Sequence, residues 1–463
     1  MPTLADAIID KNENAVRDLL RNGAEINVVD EYGFTPLIEA MIADNANITQ
    51  LLLREGARVN LKDMIGTSPL HWAAENNNVT IAKMLLEKKA DLNAFNLSGQ
   101  PVMVMPVLRD QTQMKQLLQS YGADLDFARD FINTKMLGHL FELVGVGCII
   151  SPDNQFVEVD FEGFLPEVTL TMISDSVEQF KNHYAARRVR RYTAVAQTIV
   201  DVMHRAAKLI RYQQYRIDRS QFQNQITRLI EEKPLIIPVS YEGHAITFIH
   251  YLDLLIKCDR RVESRLYDNI VIYRIGRPSR LNSEAIQKLI YTQQNFISIN
   301  EALPAYLNLQ PVTEIKVPAQ ISGNCSWANV EACIPALFYV LLASENSSSN
   351  DIKTQALQFF DEWREWNKDR SLQFCIQRFH EMDPLRRAAQ AEILSAILFQ
   401  TCTGGTARDN ERAERIITTL KESEYAYVLK NYARSYAFED IGFEGQRFIR
   451  LLQKYGFDPR VAR

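Results

Sequence analysis

Apolar positions in the first 130 residues recur at a fixed interval. Leu19, Leu52, Leu85 and Leu118 are 33 residues apart, as are Ala24, Ala57, Ala90 and Ala123, and Gly33, Gly66 and Gly99. A period of that length predicts short helical hairpins that bury their faces only by stacking on one another, an α-solenoid of four repeats over 3–33, 34–66, 67–99 and 100–130. Beyond it the pattern changes. Residues 131–147 read as helix, 149–168 as strand and turn, and 170–232 as helices, a mainly helical connecting region over 131–232. Four β-branched runs follow, 235–241, 244–251, 254–258 and 269–275, separated by turn residues, and predict a small antiparallel sheet within a core of 233–343. Residues 282–310 read as mainly helical, and a further helix starts near Cys325, with Pro335 placed to kink it. After the polar tract 344–350, residues 352–463 form a helical C-terminal region. The whole is an α+β multidomain chain.

Within the repeats, Thr35-Pro36-Leu37 and Ser68-Pro69-Leu70-His71-Trp72-Ala73 occupy equivalent positions and resemble the ankyrin T-P-L-H-x-A motif. Proline suits the first turn of a helix, where its missing N–H has no partner anyway. Gly23 and Gly56 then cap the outer helices in the left-handed conformation, and Lys89 replaces that glycine in the third repeat at some strain. Asp30 to Gly33, Asp63 to Gly66 and Asn96 to Gly99 each combine a short polar side chain with a glycine, the composition of a tight hairpin tip. Tyr32, Met64, Ile65, Asn96, Leu97 and Ser98 at those tips are the candidate protein-binding residues. The ankyrin resemblance implies that His71 makes a hydrogen bond between repeats, and that Asn93 stands in the context recognised by host asparaginyl hydroxylases or is a plain hairpin asparagine. The fourth repeat opens on Gln100-Pro101-Val102-Met103, and its apolar outer face requires cover.

At 463 residues, 46% apolar and 24% charged, the chain is ordinary for a globular protein of several domains. The apolar run 333–343 is short for a bilayer span, and residues 1–12 carry charges in place of a signal-peptide core. Six scattered cysteines show no metal-binding spacing and fit a reducing compartment; no cofactor is implied. A net charge of −5 argues against a general nucleic-acid binder. One segment runs the other way: 187–228 holds ten Lys or Arg against Asp201 and Asp218. It reads as a long amphipathic helix with a solvated basic face, or as a surface for nucleic acid or anionic lipid over 187–228, and Arg187-Arg188-Val189-Arg190-Arg191 also matches a nuclear localisation cluster or a patch for an acidic partner.

The strongest chemical signal is Gln320-Ile321-Ser322-Gly323-Asn324-Cys325-Ser326-Trp327. A glycine precedes the cysteine and an apolar helix follows, so the thiol sits where free N–H groups favour thiolate. Gln320 is positioned to donate, with the Cys325 N–H, to a developing oxyanion. His244, at the head of a strand, is the candidate base. A hairpin turning about Tyr251-Leu252 pairs His244 with Asp259, which orients the imidazole, while Cys258 faces the other way.

These residues resemble the papain-like cysteine hydrolases, in Gly323-Asn324-Cys325-Ser326-Trp327, Gly243-His244-Ala245 and Ile256-Lys257-Cys258-Asp259. The resemblance implies a Cys325–His244–Asp259 site assisted by Gln320. His precedes Cys, which is similar to the order in the SUMO-protease and YopJ clan, and Asp259 or Cys258 stands where papain relatives carry asparagine. Together with the repeats, the chain resembles the ankyrin-repeat effectors that Legionella delivers into host cells through a type IV system. That implies action in the host cytoplasm or nucleus, a host protein held at the hairpin tips, and thiol-dependent peptide or isopeptide hydrolysis or acyl transfer. A non-catalytic interaction module on a degenerate hydrolase fold stays open beside it.

Overall fold

The computed structural model describes residues 3–213, 219–261, 269–321, 323–343, 349–435 and 443–460. Arg216, Asp218, Ser322, most of the polar tract 344–350 and the last three residues lie outside the described residues. Contacts divide the chain into two compact units: one comprises 1–138, 145–160 and 374–463, the other 139–144 and 161–373.

The first unit opens with four helix pairs: Leu4–Ile9 with Glu13–Arg21, Pro36–Ile42 with Ala46–Arg54, Pro69–Glu75 with Val79–Glu87, and Val104–Leu108 with Thr112–Ser120. Thr35 and Ser68 cap the second and third inner helices, each with proline at the first helical position. Gly23 and Gly56 hold positive φ after the outer helices, and Lys89 is forced to φ 63° at the third. At the tips, Asp30, Asp63 and Asn96 each accept two N–H groups two and four residues on. The tips are laced to one another, Met64 N–H to the Tyr32 carbonyl (3.4 Å) and Leu97 N–H to the Ile65 carbonyl (3.0 Å).

The fourth repeat has its cover. Val102, Met103, Met114 and Leu118 share one core with Phe127 and Phe131 of the next helix, Leu125–Leu140, and with Ile149, Val157 and Val159 of a hairpin, β1 (Val146–Ile150) and β2 (Phe156–Asp160). Gly99 lies directly against β2, where a Cβ would fall 2.1 Å from the Glu158 carbonyl oxygen, and its φ of +77° would strain any side chain independently. In the same unit Arg386 pairs with Asp126 and Asp130, and Arg378 pairs with Asp130 at 3.1 Å.

His71 makes the inter-repeat bond. Its Nε2 lies 3.1 Å from the Gln100 carbonyl, which only accepts, so Nε2 carries the proton and Nδ1 accepts from Ser68. Burial pushes the imidazole from 6.5 down to about 4. The unfolded chain therefore binds a proton that the folded repeat refuses, and stability falls as pH drops from 6.5 towards 4. The expected loss at pH 4 is roughly 2–3 kcal/mol. Thermal midpoints across that range should flatten in His71→Gln; an unchanged slope would place the acid sensitivity elsewhere.

In the second unit five antiparallel strands lie in sequence order: β3 (Leu235–Tyr241), β4 (His244–Tyr251), β5 (Leu254–Cys258), β6 (Ile270–Ile275) and β7 (Leu309–Ile315). Two features depart from expectation. The β4–β5 turn closes on Leu252-Asp253, so Thr247 pairs with Cys258 and Tyr251 with Leu254, two residues away from the predicted register. Asp253 is the better turn residue, and closing on it leaves Tyr251 in the ladder. β7 follows a helical stretch that Asn308 ends in the left-handed conformation, and its Gln310, Pro311, Thr313 and Glu314 give no apolar alternation, as befits an edge strand.

The basic segment is not one helix. Two 3₁₀ turns, Tyr184–Arg188 and Arg190–Tyr192, precede the α-helix Thr193–Arg211. Ala186, Val189 and Tyr192 are buried at a spacing of three, the 3₁₀ period, before the pattern becomes α-helical. Several of its charges already have partners: Arg205 pairs with Glu232, Arg211 with Glu167, Arg188 with Glu362, and Arg219 stacks on Tyr291.

The helices Cys325–Glu331 and Cys333–Ala343 are separated at Ala332. Pro335 lacks an N–H, and its ring crowds the carbonyl four residues back, at Glu331, which places the break where the sequence puts the kink. The stretch 325–343 is long and apolar enough for a membrane, yet 83% of it is buried inside the protein, as expected for a core helix.

Candidate functional site

The two-residue turn Glu242-Gly243, with φ of 47° and 77°, joins β3 to β4 and delivers His244 as the first residue of β4. Asp259 follows the last residue of β5. In the observed register the two are diagonal neighbours and not opposed, but a slip of two residues preserves the face. The predicted contact therefore exists: His244 Nε2 lies 2.9 Å from Asp259 Oδ1. With Nε2 occupied, Nδ1 is the nitrogen available to Cys325.

Burial pushes Asp259 upward, but its hydrogen bond to His244 and the charge of Lys257, 3.1 Å from Oδ2, hold it near 2. Burial lowers His244, yet its bonds to Asp259 and Cys325 outweigh that and raise the imidazole above its ordinary value. Burial raises the Cys325 thiol, and the His244 bond, the Ala245 N–H 3.4 Å from Sγ and the Ser326 N–H bring it below the usual thiol range. The remaining shifted cysteines move the other way, with Cys148, Cys375 and Cys402 pushed by burial up to about 12.

Chain segments hold the thiol from behind. Gly323 has φ +79°, and a Cβ there would fall 2.6 Å from the Glu162 side chain; the Gly163 N–H bonds the Gly323 carbonyl and the Phe164 N–H bonds Ser326 Oγ. Asn324 is buried, its Oδ1 2.6 Å from His139 Nδ1, and the His139 ring stacks flat on Trp327. Trp327 Nε1 donates to Glu331, which pairs with the fully buried Arg260, as does Glu142. Arg364 joins both carboxylates.

In front of the thiol is an open cleft of about 830 Å³, whose walls include Glu162, Glu242, His244, Arg261, Gln320 and Cys325. Gln320 is anchored by its N–H to the Arg260 carbonyl, and its side-chain Oε1 is buried with no hydrogen-bond partner among the described residues. The structure thus brings together Cys325, His244, Asp259 and Gln320. Among the described residues no group of three His, Cys, Asp or Glu gathers to hold a metal.

At the tips Tyr32, Met64, Ile65 and Leu97 are 60–78% exposed, whereas Asn96 and Ser98 are partly buried in the turn that Asn96 organises. Asn93 is half-buried, its N–H bonded to Asp91. Sequence reasoning missed Glu162, Asn324 and Arg260, whose partners are remote in the chain. It also missed Asn329, four residues after Cys325 and hence on the same helix face, a signal that was available.

The fold and site define an ankyrin-repeat protein that carries a Cys-His-Asp constellation where a helix start meets an antiparallel sheet. The sequence profile of ankyrin repeats (3 copies) matches residues 4–96. The structure of the Legionella effector AnkH superimposes with a TM-score of 0.86 at 38% identity, over 99% of this chain and 98% of that one. The chain belongs to the family of that effector. Among curated proteins no relative matches it.

Proposed function

We propose that the chain is a bacterial effector delivered into a host cell, which holds a host protein through its ankyrin tips and uses Cys325 as a nucleophile in a papain-like site. The observation that carries this reading is the continuous line of contacts from Asp259 through His244 to a thiol held below its usual range, at the wall of an open cleft. The thiolate attacks a carbonyl carbon. The oxyanion forms beside the Cys325 N–H and the Gln320 amide, and His244 gives its proton to the departing amine. Water, activated by His244, releases the acyl group; an amine in its place makes the step an acyl transfer.

Iodoacetamide at neutral pH is expected to modify Cys325 ahead of the five other cysteines, read by peptide mass. Uniform labelling, or none at Cys325, would remove the reading. A second reading, binding without catalysis, is favoured by the exposed apolar row Tyr32, Met64, Ile65 and Leu97. It predicts that a Cys325→Ala chain keeps its cellular effect and that Leu97→Asp loses it. Leu97→Asp is expected to weaken partner binding by about 10- to 100-fold under either reading, as for a central apolar anchor.

A further inference from the structure

Asn329 is 1% exposed and lies one turn after Cys325 on the same helix. Both ends of its side chain are engaged. Nδ2 donates to the Ala245 carbonyl at 2.6 Å, and Oδ1 accepts the Arg260 N–H at 2.7 Å. Each partner adjoins a member of the site in sequence: Ala245 follows His244 and gives its own N–H to Cys325 Sγ, and Arg260 follows Asp259. One planar amide therefore ties the helix carrying the thiol to the strand carrying the imidazole and to the segment carrying the carboxylate.

We propose that Asn329 is a positioning residue for the thiol site, setting the separations among Cys325, His244 and Asp259 by gripping the Ala245 carbonyl and the Arg260 N–H at once. The inference rests on the reading of Cys325 as nucleophile. An alanine would leave a buried carbonyl and a buried N–H without partners, and such groups move to find new ones. Moving Ala245 also moves its N–H, which touches the sulfur. The charged and titratable groups that face the thiol keep their identity in such a variant: His244 on β4 with Asp259 and Lys257 behind it, Glu242 in the turn before it, Arg261 beyond β5 and Glu162 beside Gly323.

The test is the pH profile of iodoacetamide alkylation at Cys325, followed by peptide mass in the full chain, for Asn329→Ala and Asn329→Asp. The aspartate keeps an acceptor for Arg260 and replaces the donor to Ala245 by an oxygen. Both variants are expected to move the Cys325 midpoint upward by roughly one to two units, the size of one hydrogen bond to a charged group. Cys148, elsewhere in the chain, serves as the control and should not move. A lower thermal midpoint with an unchanged alkylation profile would overturn the proposal, because that is what a purely structural residue gives. Failure of both variants to fold would also overturn it, assigning Asn329 to the core. If wild-type Cys325 already alkylates with the same profile as His244→Ala, the nucleophile reading itself fails, an outcome recognisable without any Asn329 variant.

Discussion

His244→Ala is expected to slow acylation of Cys325 by about 10²- to 10⁴-fold at neutral pH, the range for removing a positioned acid–base group. The measurement is the burst of nitrophenol from p-nitrophenyl acetate. The pH profile carries the sharper information. In the wild type the rate should rise on the acid side below the ordinary thiol range, because the His244 bond and the Ala245 N–H outweigh burial at Cys325. It should fall on the alkaline side as His244 loses its proton, above the ordinary imidazole value because Asp259 and Cys325 hold that proton in place. In the variant both limbs change: the rise moves up, since burial then acts with less opposition, and the alkaline fall disappears. A variant that keeps both limbs would show that His244 is not the partner of the thiol. Asp259→Asn should leave a weaker form of both, because the amide still orients Nε2 but no longer supports the imidazolium.

Arg260→Ala is expected to destabilise the second unit by about 3–5 kcal/mol, the cost of breaking a buried ion network from one side. Arg260 has no exposed side-chain surface and holds Glu142 at 2.9 Å, Glu331 at 3.3 Å and the Pro318 carbonyl at 2.7 Å. Arg364 still bridges the two carboxylates afterwards, which favours the lower end of the range. Arg260→Lys should recover only part of the loss, since an ammonium cannot span three acceptors in the plane of a guanidinium. Burial raises Glu142, but Arg364 and Arg260 bring it below the ordinary carboxylate value, so its contribution is present above that value and is lost as pH falls. Urea denaturation followed by tryptophan emission reads both effects. A change below about 1 kcal/mol would mean that the cluster carries no more than surface pairs do.

The repeats were legible because every hairpin faces the same boundary conditions, so Leu52, Gly66 and Ala57 recur with their counterparts. The His244–Asp259 pair survived a wrong turn position because side chains alternate with period two. Cys325 at a helix start followed from Gly323, and the break near Pro335 from the missing N–H. Other parts left no local trace. The Arg260 cluster joins residues 118 and 71 positions apart, a spacing no window detects. β7 carries Gln310, Pro311, Thr313 and Glu314 without an apolar alternation because an edge strand need not bury both faces. In the basic segment the apolar spacing from Val195 to Ile210 is α-helical as expected, and the 3₁₀ turns precede it, where Ala186, Val189 and Tyr192 recur every three residues.

The contact at Gly99 limits how this array can change in number. Gly33 abuts the next tip at the Met64 N–H, Gly66 abuts the next at the Leu97 N–H, and the third neighbour in that series is the Glu158 carbonyl of β2. Where a further hairpin tip would stack, a strand from another kind of structure already stands, and its Val157 and Val159 share one core with Phe127 and Phe131. A duplicated unit inserted after the third would have to displace both. Growth or shrinkage by whole units is therefore open only towards the N-terminal helix pair, and the reading frame of the tips is counted from the closed end.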